Sequence, residues 1–371
     1  MTSVVSKVAV IGSGISGAVC ASTLAKNGLS VTLFESARGP GGRMSRRREI
    51  TEDGKELLFD HGAPFFTVNN GDVSRLVDEW ESKGVVAEWK DSFGSFDCLS
   101  KQFIDIEQDG QRLGKRYVGL PGMNAICKAL SNENGVESKF GIGVGKLEWL
   151  DDENSWLVMG MDGQNHGSFG GVVASDKNIA SSRFKDVTGR PPPLDLSLAP
   201  ELAMKMQDVP AISCFALMLA FSEPLSSIPV KGFTFKNSEV LSWCHCDSSK
   251  PGRSKASELW VLHSTAKYAR DVIAQTGLTK PSSAILTKVT EELFQEFKSS
   301  ELVGSQPVFS KAHRWGSAFP ATSIAVEEKC LWDSKKRLAI CGDFCVSPDV
   351  EGAILSGLAA AAKLLEASSC L

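Results

Sequence analysis

Val8-Ala9-Val10-Ile11-Gly12-Ser13-Gly14-Ile15-Ser16-Gly17 is the stretch that decides the fold. The four apolar residues read as a buried strand, and the glycines close it into a tight turn. The pattern that follows, through Cys20, Leu24 and Ala25, is helical. A second apolar run, Ser30-Val31-Thr32-Leu33-Phe34, ends in Glu35. Strand, glycine turn, helix, strand and acid, in that order, are what a dinucleotide fold needs. The glycines let the backbone approach a pyrophosphate, and the helix start offers unpaired N–H groups and the positive end of its dipole. Glu35 stands about 20 residues beyond the turn, where a carboxylate accepts both hydroxyls of an adenosine ribose. A bare strand-to-helix turn with no ligand would need the same glycines but not the acid.

A second glycine element bears on which dinucleotide is bound. After Glu35 an enzyme using NAD alone would continue to alternate strands and helices, but here the chain runs Ser36-Ala37-Arg38-Gly39-Pro40-Gly41-Gly42-Arg43-Met44-Ser45-Arg46. Glycines let this backbone lie flat on a ligand, and the Arg43 guanidinium can pair bidentately with phosphate oxygens. Phe59-Asp60-His61-Gly62-Ala63 and the apolar Pro64-Phe65-Phe66 come next.

On these residues the chain resembles the FAD-containing amine oxidase superfamily, and within it the renalase-like branch of small flavoproteins. The resemblance implies FAD bound without a covalent link, a flavin domain and a separate substrate domain. It implies that Ser36, Gly41, Gly42, Arg43, Met44, Gly62 and Ala63 join Gly12, Ser13, Gly14, Ile15, Ser16, Gly17 and Glu35 at the cofactor. Leu120-Pro121-Gly122-Met123-Asn124 is similar to a helix-opening segment of the family, and Val136 to Val144 to the region that meets the adenine, with Val144 as the contact. The strongest remote match is Cys341-Gly342-Asp343 with Val350-Glu351-Gly352-Ala353-Ile354-Leu355-Ser356-Gly357. In the family an aspartate at the position of Asp343 binds the ribityl or phosphate region. The helix opening at Glu351, Gly352 and Ala353 points its N-terminus at the flavin pyrimidine ring. Elementary physics agrees: the apolar run Leu338-Ala339-Ile340-Cys341 would deliver Asp343 at a strand's carboxyl end, where open α/β sheets bind ligands, and a helix dipole suits the charge of reduced flavin. From Pro191 to Phe309 the chain carries no such motif.

The fold class expected is α/β: a discontinuous Rossmann-like FAD-binding domain plus a mixed-sheet α+β substrate domain. A chain of 371 residues holds two cores comfortably. The flavin domain is expected over residues 1–67, 117–190 and 311–371, and the substrate domain over 68–116 and 191–310. Pro191-Pro192-Pro193 fixes an extended path and marks one boundary. Ile212 to Ala220 reads as a buried strand and Glu258 to His263 as another. Ile285, Val289, Leu293 and Phe297 repeat with helical spacing. They predict a sheet with helices against one face.

A formal net charge of −4 gives no electrostatic reason to bind nucleic acid. The ten cysteines are scattered singly, which points to a reducing compartment. In Cys244-His245-Cys246, strand alternation would put the two thiols on one face and the imidazole on the other, so no metal site is expected. No apolar run is long enough to span a bilayer, and no targeting segment is visible at the N-terminus. The expected location is the cytoplasm, with the peroxisome as the alternative raised by the terminal Ser369-Cys370-Leu371.

The residues of the chemistry are harder to read. The flavin does the redox work, and the protein positions a hydride donor against its N5 atom in a mostly apolar cage. Candidate cage residues are His61, Phe65, Phe66, Trp315, Phe319 and Phe344. His61 and Trp315 are the candidates for a catalytic part; His61 is equally a structural histidine. His313-Arg314-Trp315-Gly316-Ser317-Ala318-Phe319-Pro320 is similar to a family segment that commonly carries Trp-Arg-Tyr-Ala, with Gly316 and Ser317 in place of Arg and Tyr. That predicts a wall over the flavin stripped of two large polar side chains. The favoured function is a FAD-dependent oxidoreductase taking a hydride from a small molecule, an amine or NAD(P)H being the candidates. The alternative is a FAD-binding protein with a structural or ligand-binding role. An NAD-only dehydrogenase would leave Gly41-Gly42-Arg43 and Gly342-Asp343 unexplained. Oligomeric state cannot be read from the chain.

Overall fold

The apolar run Lys7–Ile11 lies at the centre of a six-stranded sheet in the computed structural model, which describes residues 6–107, 114–206 and 209–369. It pairs in parallel with Ser30–Glu35 on one side and Gly171–Ala174 on the other. Val136–Phe140 and Leu338–Ile340 extend the parallel sheet outward, and Leu331–Asp333 closes one edge in the antiparallel sense. Both faces are covered, which is why the central strand is apolar at every position after Lys7. Val8 and Val10 pack with Cys20 and Leu24 of the helix Ile15–Lys26 and with Ala360 and Leu364 of the C-terminal helix Val350–Ser369. Ala9 and Ile11 pack on the other side with Trp156, Val158 and Phe169 of an antiparallel meander, Val144–Leu150, Ser155–Gly160 and Asn165–Phe169. The two helices touch closely: a Cβ on Gly357 would sit 2.3 Å from the Ser16 carbonyl oxygen.

The chain divides into two compact units. The first comprises Met1–Gly42, Asn124–Pro210 and Phe319–Leu371, and the second Arg43–Met123 and Ala211–Ala318. A seven-stranded mixed sheet organises the second, in the order Phe309–Pro320, Ala211–Phe221, Glu258–Ser264, Leu241–Cys246, Gly232–Lys236, Phe93–Asp97 and Gln102–Glu107. Ala211–Phe221 is buried on both faces. Phe215, Leu217, Leu219 and Phe221 meet Val289, Leu293 and Phe297 of the helix Ser283–Ser299 and Ala269 of the helix Ala266–Thr276. Ala216, Met218 and Ala220 meet Leu57 and Phe59 from the hairpin Arg46–Ile50 and Glu56–Asp60. Helices therefore cover one face of this sheet and a hairpin part of the other.

The boundaries fall elsewhere than at residues 67, 117, 190 and 311. The hairpin 46–60 leaves the first unit early, because Leu57 and Phe59 are buried in the second. Tyr117–Gly119 pairs with Val86–Glu88 and so belongs to the second unit too. The three prolines do not end the first unit: the Leu147 N–H donates to the Pro193 carbonyl at 2.7 Å, and Leu194, Ala199, Leu202 and Met206 bury beside Trp156. No helix among the described residues is long and apolar enough to cross a membrane. Cys370 and Leu371 of the terminal tripeptide lie outside the described residues.

Candidate dinucleotide site

The turn after the central strand is built by crowding. Gly12 has φ +101° and donates its N–H to the Phe34 carbonyl at 2.8 Å. A Cβ there would fall 2.6 Å from the Ser175 hydroxyl, and one on Gly17 would fall 2.1 Å from the Gly12 carbonyl oxygen. Ser175, at the end of the neighbouring strand, donates its hydroxyl to the Ile11 and Gly12 carbonyls at 2.9 Å each. Nothing lies within 4 Å of a Cβ built on Gly14, so this side of the turn is open. Gly14 is also the N-cap of the helix and contributes no capping side chain. The first-turn N–H groups are left for an anion.

The two glycine elements lie side by side. Gly14 and Gly41 form a parallel bridge, the Gly41 N–H donates to the Ser13 carbonyl at 3.0 Å, and a Cβ on Gly42 would be 3.3 Å from the Gly14 Cα. Glu35 is already oriented by the same loop. Its Oε2 accepts from the Ser13 N–H (2.9 Å) and hydroxyl (2.7 Å), and its Oε1 from the Ala37 N–H (2.8 Å) and, at 3.3 Å, the Ser36 hydroxyl. The Ile142 N–H donates to the Glu35 carbonyl at 2.9 Å, so the strand that opens at the buried Val144 starts beside the acid.

Gly342 has φ +152°, donates its N–H to the Ser356 hydroxyl at 2.9 Å, and would place a Cβ 2.4 Å from the Phe344 ring. Asp343 follows it, buried, at the carboxyl end of the strand Leu338–Ile340. At the start of the C-terminal helix, the Gly352 N–H is taken by the Asp349 carboxylate at 2.6 Å, and a Cβ on Gly352 would meet the Ser347 hydroxyl at 2.3 Å. Glu351 and Ala353 flank it. The helix is thus capped in part by its own chain, which the sequence reading had left to a ligand.

An open side at Gly14 beside a Glu35 carboxylate held by Ser13, Ser36 and Ala37, with a buried Asp343 at the carboxyl end of another strand of the same sheet, fits a dinucleotide. Burial pushes the Cys345 thiol up to about 12 and the Cys341 thiol well above its ordinary value. Both stay protonated, which is unsuited to a thioether link. Ser175 and Asp349 were missed from the sequence, and Ser356 was quoted in the helix match without a role: isolated hydroxyl and carboxyl residues carry no local signal.

In the second unit the structure brings together Arg43, His61, Gly62, Ala63 and Trp315. The Ala63 N–H donates to the Arg43 carbonyl at 2.9 Å, and Arg43 Nη1 donates to the Ala318 carbonyl at 2.9 Å. Met44 is buried beside Arg43 in sequence. The His61 ring is buried and lies 4.8 Å from both the His313 and Trp315 rings. Burial, reinforced by His313, lowers the His61 pKa to about 3; burial, then Arg47, lowers that of His313 to about 4. Both imidazoles are neutral, and the His61 Nδ1 atom has no hydrogen-bond partner.

Three expectations about the cage are corrected. Phe344 is part of the first unit's core and Phe66 packs against Tyr117 at 5.7 Å, so neither offers a free face. Gly316 and Ser317 are consecutive residues of the strand Phe309–Pro320 and point to opposite faces, so they cannot both line one wall. Ser317 shares the face of His313 and Trp315.

A buried charge network beside His61 was not foreseen at all. Asp60 Oδ2 pairs with Lys250 Nζ at 3.4 Å and with Arg253 Nη2, and Asp247 Oδ1 pairs with Lys250 Nζ at 2.6 Å. Burial alone would raise the Asp247 carboxyl; the Lys250 ammonium overrides it and holds the group well below the ordinary carboxylate range. Asp60 Oδ1 also accepts the Met123 N–H at 3.1 Å, and Asp247 Oδ2 the Asp60 N–H at 3.2 Å. Both buried carboxylates are paired, and the Arg46 guanidinium adds its charge to those of Lys250 and Arg253. Cys244 and Cys246 face the helix-covered core while the buried His245 faces the network, 3.5 Å from Asp247. Among the described residues no three His, Cys, Asp or Glu side chains are grouped to hold a metal.

Fold and site together define a dinucleotide-binding protein with a Rossmann-like unit and a mixed-sheet unit. Residues 10–80 match the model of an NAD(P)-binding Rossmann-like domain, and residues 65–365 that of the flavin containing amine oxidoreductases. The chain belongs to the flavin containing amine oxidoreductase family, and FAD is its cofactor. It is 43% identical over 72 residues to a mitochondrial protoporphyrinogen oxidase of Nicotiana tabacum, 19% of this chain and 13% of that protein. It is 37% identical over 149 residues to protoporphyrinogen oxidase 2, chloroplastic/mitochondrial, of Arabidopsis thaliana, 38% of this chain and 24% of that protein. The matches thus span under a quarter of each relative's length. Among solved structures, a putrescine oxidase bound to putrescine superposes with a TM-score of 0.60 at 13% identity, over 97% of this chain and 99% of the other. A single mutant of putrescine oxidase gives 0.63 at 13% identity, over 97% and 98%. At such identity the likeness is one of fold.

Proposed function

We propose that the protein is a FAD-dependent oxidoreductase that takes a hydride from a small molecule. The observation that carries this reading is the paired glycine backbone at Gly12–Gly14 and Gly41–Gly42, open on one side and ended by Glu35. Glu35 would hold the adenosine ribose, the first-turn N–H groups of the helix Ile15–Lys26 and Arg43 the pyrophosphate, and Asp343 the ribityl region. Gly352 and Ala353 would line the remainder of the cofactor with backbone. When bound, the flavin supplies a two-electron acceptor at N5 that an external acceptor reoxidises.

The substrate is the finer question. We place the chain in the renalase-like branch on the motifs quoted above, and a reduced nicotinamide joins amines as a candidate donor. The neutral His61, His313 and His263 and the small Ser317 support a donor without a compact anionic group, since none of these side chains carries a charge to pair with one. Direct hydride transfer needs no protein base, and none of these imidazoles is proposed as one.

Anaerobic mixing of the yellow protein with NADH, NADPH and a panel of neutral and cationic amines tests the reading. Bleaching of the flavin absorbance by one of them, and recovery of colour on admitting air or a second acceptor, is the expected result. A flavin that no donor in the panel reduces, while dithionite does, would contradict turnover and favour a protein that keeps FAD for structure or ligand binding.

A further inference from the structure

The geometry points to Trp315 and His263 as positioning residues that together clamp the His61 carbonyl and so set the Arg43 segment against the cofactor; this rests on the assignment of Arg43 to FAD above. Trp315 Nε1 donates to the His61 carbonyl oxygen at 3.0 Å, and His263 Nε2 lies 3.1 Å from the same oxygen. A carbonyl carries no proton, so Nε2 of His263 must be the protonated nitrogen, and both lone pairs of the oxygen are used. The donors come from strands on either side of Ala211–Phe221, about 10 Å apart at two strand spacings. Ala216 stands opposite His263 in the register, and its small side chain leaves room on the face between them.

The clamp is passed on through two residues. Gly62 has no side chain because one is impossible: a Cβ would lie 2.0 Å from the Arg43 carbonyl oxygen and 3.2 Å from Trp315 Cζ2. Ala63 then donates its N–H to that same Arg43 oxygen at 2.9 Å. Trp315 and Ala318, three residues apart on one strand, thus reach the Arg43 segment by two routes, the indole through the His61 carbonyl and the Ala318 carbonyl directly to the guanidinium. Moving residue 61 would move the Arg43 backbone relative to the strand that holds its side chain. Phosphate pairing by a guanidinium is directional, so a small displacement there is felt in affinity.

Full-length protein stripped of flavin is titrated with FAD in four variants, following the quenching of flavin fluorescence, with visible circular dichroism of the bound flavin and the melting temperature of the stripped protein alongside. Arg43→Gln is expected to raise the FAD Kd more than tenfold. Trp315→Phe and His263→Leu should each raise it about fivefold, the worth of one neutral hydrogen bond, and alter the dichroism. His263→Gln, which keeps an N–H donor, should return it to within twofold of the native value. Trp315→Phe keeps an aromatic ring in place and carries the test if the leucine variant fails to fold. Should Arg43→Gln weaken FAD while Trp315→Phe and His263→Leu bind it normally with lowered melting temperatures, the two residues only support the fold and the inference is overturned. An Arg43→Gln protein with native affinity would overturn the assignment of Arg43 and the clamp with it.

Discussion

Ser13 donates both its N–H and its hydroxyl to Glu35, and Ala37 adds a third donor, so this carboxylate is aimed before any ligand arrives. Glu35→Ala removes the charged acceptor and leaves the Ser13 N–H without its partner. The expected result is an FAD Kd raised roughly 10- to 100-fold, from charge-assisted hydrogen bonds worth about 1.5–3 kcal/mol, measured by fluorescence titration. An unchanged Kd would mean that Glu35 only closes the loop. The glycines and the acid were legible in the sequence because turn chemistry is local: φ +101° at Gly12 asks for glycine whatever surrounds it. Ser175 and Ser356 were not legible. Ser175 acts on a glycine 163 residues away, through a contact that exists only once the strands have paired, and Ser356 acts from its helix on a glycine 14 residues back. Asp60 was quoted in its motif yet its partners Lys250 and Arg253 were invisible, since buried ion pairing across nearly two hundred residues leaves no spacing to read.

Elements with a single apolar period were read well, and those buried by long-range partners were not. The strand Ala211–Phe221 was expected from the near-continuous apolar run Ile212 to Ala220, and its two covered faces explain that run. The hairpin 46–60 was the harder case. Four arginines from Arg43 to Arg48 give no apolar period to read; Arg47 and Arg48 pair with Glu49 and Glu56 while Leu57 and Phe59 turn inward. That choice of face moved a domain boundary. Met218, fully buried on the hairpin side of its strand, reports on this packing. Met218→Ala is expected to cost about 2–5 kcal/mol of unfolding free energy, by the lost transfer term and the cavity left behind, measured by urea denaturation. A cost below about 1 kcal/mol would show that the hairpin does not pack tightly there.

At the scale of the molecule, the second unit holds its histidines neutral. Burial lowers His61 and His245 to about 3 and His313 to about 4, from an ordinary 6.5, and lowers His263 as well. Unfolding frees each to take a proton below 6.5, so the stability they allow is complete above that value and falls as pH drops towards 4. The slope is at most about 1.4 kcal/mol per pH unit for each histidine. Denaturation midpoints at pH 7 and pH 5 should differ accordingly, with the acid sample weaker. Equal midpoints would mean that the imidazoles are solvated in the folded protein.

The central claim is that an open glycine backbone in the first unit holds FAD without a covalent bond. Heating the purified yellow protein, removing the precipitate and analysing the supernatant tests it most directly. The account predicts free, intact FAD in solution, close to one per chain, and a colourless pellet. Flavin retained in the pellet, or a protein that stays colourless after incubation with FAD, would contradict it.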